Sequence, residues 1–217
     1  MKNILLKGFF TSVVFVVSGL ANAGLITENF DDGEAQGWTL TGLWHVTGNN
    51  PNGTAGALGY VQGETTGTTL NGNFNTGGSN SGTATTGLFQ CLDANAIGCS
   101  VNFDSLDSAE TGTWDQLDVY LLHGGAQTLI LDNNGGSAFN DSIYRTSSFD
   151  LSNLLGNDEQ FQLRFSFATL DGLFNDYTGP RIDNFVVNTG VEVPEPSTLA
   201  IFALSLVGLV ARRRKKA

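Results

Sequence analysis

Gln160-Phe161-Gln162-Leu163-Arg164-Phe165-Ser166-Phe167-Ala168 is the stretch that decides the fold class of this 217-residue chain. In an extended backbone Phe161, Leu163, Phe165 and Phe167 fall on one side, and Gln162, Arg164 and Ser166 on the other. That is period 2, the mark of a strand with one buried face. Gln116–His123 repeats the pattern with Leu117, Val119 and Leu121. Working outward, residues 127–132, 43–47, 58–62, 85–90, 100–104 and 182–187 are further short apolar runs. Clusters of Gly, Asn, Asp, Ser and Thr separate them. His123-Gly124-Gly125, Asn133-Asn134-Gly135-Gly136 and Asn75-Thr76-Gly77-Gly78 supply turn chemistry. No stretch of the middle sustains a helical period, and Asp150–Leu155 makes a helical turn at most. Residues 63–86, almost wholly Gly, Thr, Asn and Ser apart from Leu70 and Phe74, read as a long flexible surface loop, with a pair of weak edge strands as the alternative. The pattern predicts an all-β, two-sheet antiparallel sandwich over residues 24–192.

Charge divides the chain into three pieces. The formal net charge is -11, from 10 Lys+Arg and 21 Asp+Glu. Lys2 and Lys7 lie at the start, and Arg212, Arg213, Arg214, Lys215 and Lys216 at the end. Only Arg145, Arg164 and Arg181 remain between them. Of the acids only Glu195 falls in the tail, so the middle carries 20 acids against three arginines, a charge of -17. A body so acidic and free of lysine repels nucleic acid and anionic membranes.

The two ends read as addresses. After Lys2 and Lys7 comes an apolar run, Gly8 to Leu20, and then Ala21-Asn22-Ala23. This is the plan of a secretory signal peptide over residues 1–23, cut by signal peptidase after Ala23. The final piece, 193–217, holds Pro194-Glu195-Pro196, a hydrophobic run from Leu199 to Ala211, and the basic block 212–216. As a helix the run reaches roughly 20 Å. That is short of the roughly 30 Å hydrocarbon core, so it spans with thinning or with snorkelling basic side chains. The basic block holds the C-terminus in the cytoplasm and leaves the body outside.

These three parts, in this order, are shared with a plain single-pass anchor only in their hydrophobic and basic portions. With the Pro-Glu-Pro element the tail resembles the PEP-CTERM sorting signal of Gram-negative bacteria. The resemblance implies an exosortase-type membrane protease as partner, with Pro194, Glu195 and Pro196 as the elements it reads. It also implies anchoring in the inner membrane before processing, then a cell-surface or extracellular destination, in bacteria that make exopolysaccharide.

The middle carries a second resemblance. Glu28-Asn29-Phe30-Asp31, Gly37-Trp38, Leu43-Trp44, Trp114–Leu121, Ser148–Ser152, Leu163–Phe167 and Gly179–Val187 occur in that order. This is similar to the extracellular jelly rolls of the MAM type and those attached to immune-inhibitor-like peptidases, and so to the concanavalin-like and galactose-binding-like sandwiches. The MAM type has more cysteines than this chain. The resemblance implies a calcium ion bridging the first and last strands, with Glu28, Asp31 and Asp183, and also Asp32, at the matching positions. Calcium takes six to eight hard oxygens, which carboxylates and carbonyls supply. The plain alternative is that these acids are solvated or cap turns, as Asp31-Asp32-Gly33 suggests.

Other chemistry is sparse. Cys91 and Cys99 suit a local disulfide in an oxidising compartment, and lack the C-x-x-C spacing of a redox pair. His45 and His123 stand alone in strand-like segments and make a poor zinc site. Asp104-Ser105-Leu106-Asp107-Ser108-Ala109-Glu110 departs from the EF-hand pattern and reads as a solvated loop. No G-x-S-x-G elbow, P-loop or dinucleotide fingerprint occurs in the middle, nor the E-x-D-x-x-E motif of lectin-like glycosidases. Trp38, Trp44 and Trp114 either stack on sugar rings or fill the core. The expectation is a non-catalytic, exported surface or matrix protein with a structural, adhesive or carbohydrate-binding sandwich. The alternative is a secreted glycan-active hydrolase on a lectin-like sandwich.

Overall fold

Two antiparallel sheets face each other through aromatic side chains in the computed structural model, which describes residues 24–92, 98–110, 112–132 and 143–190. The expected signal segment 1–23, the tail with Pro194, Glu195, Pro196 and the basic block, and the expected turn at 133–136 lie outside the described residues. Among the described residues no helix is long and apolar enough to cross a membrane.

The strands are β1 (Leu25–Glu28), β2 (Thr39–Leu40), β3 (Trp44–Thr47), β4 (Ala57–Tyr60), β5 (Ser81–Thr85), β6 (Phe89–Cys91), β7 (Ser100–Leu106), β8 (Asp115–His123), β9 (Ala126–Asp132), β10 (Arg145–Asp150), β11 (Glu159–Thr169) and β12 (Arg181–Asn188). One sheet runs β10-β7-β12-β4-β3, with β1 also pairing β12. The other runs β2-β5-β11-β8-β9, with β6 also pairing β11.

The quoted alternation sits at the centre of the second sheet. Phe161, Leu163, Phe165 and Phe167 are buried, and Phe165 meets Phe103 of the other sheet at 5.0 Å between ring centroids. Trp38 ties the layers together. It stacks on Phe165 at 5.8 Å and meets Phe185 edge-on at 5.1 Å. Such aromatic pairs add roughly 0.5–1.5 kcal/mol each beyond area burial.

On β12 the inward parity changes along the strand. Ile182 faces the core, and then Phe185 and Val187 do. The register against β7 shifts between Asp183 and Val186, and Asn184 has φ 49°. This bulge turns Asp183 and Asn184 together away from the core.

Three local expectations change. Residues 63–86 are not a flexible loop throughout, because Ser81–Thr85 forms β5 between β2 and β11 and Phe74 is fully buried. The composition hides this strand, since Gly82 is required by contact: a Cβ there would strike the Thr41 carbonyl and the Tyr60 ring. The 85–90 run is two elements, with β5 ending at Thr85 and β6 beginning at Phe89. The 104–110 segment is not a solvated loop. β7 runs on to Leu106, and Ser108 and Ala109 are buried, with the Ser108 carbonyl accepting from the Gly179 amide at 2.9 Å. Asp150–Leu155 makes a single turn, closed by Leu155 N donating to Leu151 O at 2.9 Å.

Candidate functional site

The first and last strands are direct neighbours. β1 pairs β12 with Glu28 opposite Phe185. Asp183, fully buried, accepts at Oδ2 from Thr54 Oγ1 (2.9 Å) and Asn50 Nδ2 (3.0 Å), and at Oδ1 from the Asn184 amide (2.7 Å). Thr54 Oγ1 and Asn50 Nδ2 also donate to the Gly56 carbonyl, while Asp31 Oδ1 accepts from the Gly56 amide at 3.0 Å. Asp31 and Asp183 therefore converge on Gly56, one through its amide and one through its carbonyl partners. Glu28 Oε1 is engaged by the Phe30 amide at 2.9 Å, and Asp32 serves the turn through Glu34 N and Gln36 Nε2. Among the described residues no group of three or more His, Cys, Asp or Glu is placed to hold a metal ion. Glu28, Asp31 and Asp183 are thus not gathered into one ligand set.

Two neighbours of this junction were not foreseen as part of it. Tyr144 Oη donates to Asn50 Oδ1 at 3.0 Å, and burial, then the Asp183 charge, push its phenol well above the usual range. Arg181 is completely buried. Its Nη1 donates to the carbonyls of Thr178 (2.7 Å), Pro180 (3.2 Å) and Gly179 (3.3 Å), and its Nε to Asn49 O (3.4 Å). Its Nη2 has no partner among the described residues. Burial pulls this guanidinium down to about 10. It acts as a clamp on two loops, a role only the assembled fold reveals.

The histidines each meet a carboxylate. His45 Nε2 lies 2.5 Å from Glu64 Oε1, and His123 Nδ1 lies 3.0 Å from Glu159 Oε1. A shallow groove by His123 is lined by Leu88, Leu122, Asp158, Glu159 and Gln162 among others. The Glu159 carboxyl is held below its usual range by the Gly156 amide and by His123. Asp115 behaves oppositely. It is 4% exposed and accepts from the Glu110 amide at 2.9 Å. Burial, reinforced by Glu110 and Asp171, raises it to about 6.

The tryptophans separate into two kinds. Trp38 packs against the core and Trp44 is buried against Tyr60, so neither offers a ring to a ligand. Trp114, just before β8, remains exposed. Cys91 and Cys99 are joined in a disulfide with Cα atoms 5.9 Å apart.

Residues 192–215 match the family model described as the PEP-CTERM protein-sorting motif. The chain carries a PEP-CTERM sorting signal. The motif implies export, sorting to the surface and processing by an exosortase. No curated protein matches the chain. Among solved structures it is similar to the TmCBM61 module in complex with β-1,4-galactotriose, at 16% identity and TM-score 0.44, covering 73% of this chain and 92% of that one. It is also similar to the K1 cleaved adhesin domain of Lys-gingipain from Porphyromonas gingivalis W83, at 12% identity and TM-score 0.47, covering 75% and 96%. A third is CBM28, a carbohydrate-binding module specific for non-crystalline cellulose, at 13% identity and TM-score 0.42, covering 72% and 89%. At this overlap the likeness transfers no binding residue to the PEP-CTERM chain.

Proposed function

We propose that this PEP-CTERM protein is a non-catalytic surface or matrix component whose sandwich binds carbohydrate. The observation that carries the destination is the sorting motif at 192–215. Binding is favoured over hydrolysis by the state of the acids. A glycosidase needs a raised carboxyl as general acid facing a second carboxylate across an open groove. The groove by His123 holds Glu159, whose carboxyl is lowered, and the raised Asp115 is buried with its oxygen on a backbone amide. The test is to screen the mature protein against neutral and acidic polysaccharides with and without chelator, assaying reducing ends in the same tubes. Binding without release of reducing ends supports the reading. Release of reducing ends favours the hydrolase and overturns it.

The proposal extends to calcium at the junction of the first loop with β12, held by Asp31 and Asp183 with neutral oxygens and without Glu28. What supports it is the convergence of Asp31 and Asp183 on Gly56, with Asn50 Oδ1 and the Gly56 carbonyl as the neutral oxygens calcium also accepts. Titration with calcium is expected to release heat and raise Tm in the native protein and not in Asp183→Asn. Absence of both effects in the native protein overturns it.

A further inference from the structure

Four large apolar side chains stand in solvent on two loops: Trp114 at 45% exposure, Leu170 at 63%, Leu173 at 65% and Phe174 at 66%. The loops are distant in sequence and joined in the fold. β8 begins at Asp115 opposite Thr169 of β11, so Trp114 and Leu170 come next in register. The Leu170 amide donates to the Trp114 carbonyl at 2.6 Å.

Phe174 is held outward against its own preference. Its φ is 55°, a left-handed conformation that brings a residue's Cβ too close to the following carbonyl oxygen. The loop is fastened on both sides of it. Asp171 Oδ1 takes the Leu173 amide at 2.8 Å, and the buried Asn175 donates from Nδ2 to Gly78 O (3.2 Å) and Asp171 O (3.3 Å). An unfavourable backbone that presents an apolar ring to water persists only because its surroundings enforce it, and such strain collects at binding sites.

We infer that the Trp114 and Phe174 loops form a platform for a neutral polysaccharide, whose pyranose C–H faces pack on the two rings. The inference rests on the carbohydrate-binding reading above and places its site. Charge selects the ligand. Glu110 and Asp171 sit close enough to Asp115 to raise it, and the body around them carries 20 acids and three arginines. A uronate chain or an anionic lipid surface meets repulsion there. A neutral sugar presents apolar faces to Trp114 and Phe174 and hydroxyl donors to the carboxylates. Leu170 and Leu173 extend the apolar area beside the rings.

The experiment is affinity electrophoresis of the full chain through gels containing soluble neutral galactan, neutral β-glucan or, as the acidic comparison, alginate. The native chain, Trp114→Ala, Phe174→Ala and Leu154→Ala are run side by side, the last removing an exposed leucine elsewhere. Thermal melts check that all four stay folded. Retardation by a neutral polysaccharide, reduced at least tenfold in Trp114→Ala and Phe174→Ala and unchanged in Leu154→Ala, is the expected result. Retardation that survives both aromatic substitutions overturns the location while carbohydrate binding itself stands. Retardation by alginate alone overturns the neutral ligand. If no gel retards the native chain, both the platform and the binding reading fall.

Discussion

Asn184 divides its two donors between a facing pair of aspartates, giving its amide to Asp183 Oδ1 at 2.7 Å and its side-chain Nδ2 to Asp104 Oδ2 at 2.8 Å. Asp183 and Asp104 are register partners on β12 and β7, and like charges directly opposite destabilise a sheet. The bulge at Asn184 makes the arrangement tolerable by placing a donor at each carboxylate. Asp183→Ala removes a buried acceptor from Thr54, Asn50 and the Asn184 amide, and is expected to cost about 2–4 kcal/mol. Asp104→Asn eases the charge opposition and should change stability by less than about 1 kcal/mol. Urea unfolding at neutral pH checks both, and equal losses would contradict the assignment of the buried role to Asp183.

Asp115 is expected to make the body less stable as pH rises. Its folded-state carboxyl lies at about 6, above the unfolded range near 4. The folded state therefore holds the proton more tightly. The contribution is complete below about pH 4 and is lost as pH climbs through about 6. After allowance for solvent screening it amounts to about 1–2 kcal/mol. Asp115→Asn, which keeps an acceptor for the Glu110 amide, should flatten that part of the stability profile between pH 4 and 7. A profile identical to the native one would contradict the assignment.

Reduction of Cys91–Cys99 releases a nine-residue loop, and the chain-entropy relation gives a loss of about 2.6 kcal/mol. The double variant Cys91→Ser, Cys99→Ser should show that loss in urea midpoints. The strands should keep their far-ultraviolet signature, since the core is built by the two sheets.

The tryptophans offer a contrast within one residue type. Trp38→Ala opens a cavity between Phe30, Phe165 and Phe185, and is expected to cost about 3–5 kcal/mol. Trp114→Ala removes an exposed ring and should stay within about 0.5 kcal/mol. Acrylamide should quench Trp114 fluorescence while sparing Trp38 and Trp44.

Truncation after Val193 removes the Pro-Glu-Pro element, the hydrophobic run and the basic block. The body is then expected in the culture medium. Its retention on the cell surface would argue against sorting by the tail.

The sequence by itself determined the strands whose side chains alternate. Phe161 to Phe167 and Leu117 to Leu121 carry their burial in their order, because period 2 is a property of the extended backbone and needs no partner. It also determined the sorting tail, which is read as a linear motif. The 81–85 strand could be read only as an alternative to a loop because Gly82 is needed for close approach of Thr41 and Tyr60, a demand visible only once those groups are neighbours. Chemically alike residues were likewise separated by tertiary structure alone. Trp38 is enclosed by rings from both sheets while Trp114 faces water. Asp115 is buried and raised while Glu159 is lowered by an amide and a histidine. Which side chain is core, which is clamp and which is free to meet a ligand depends on the loops that cover it. Those loops are positioned by contacts between residues far apart in the chain, so no local pattern records them.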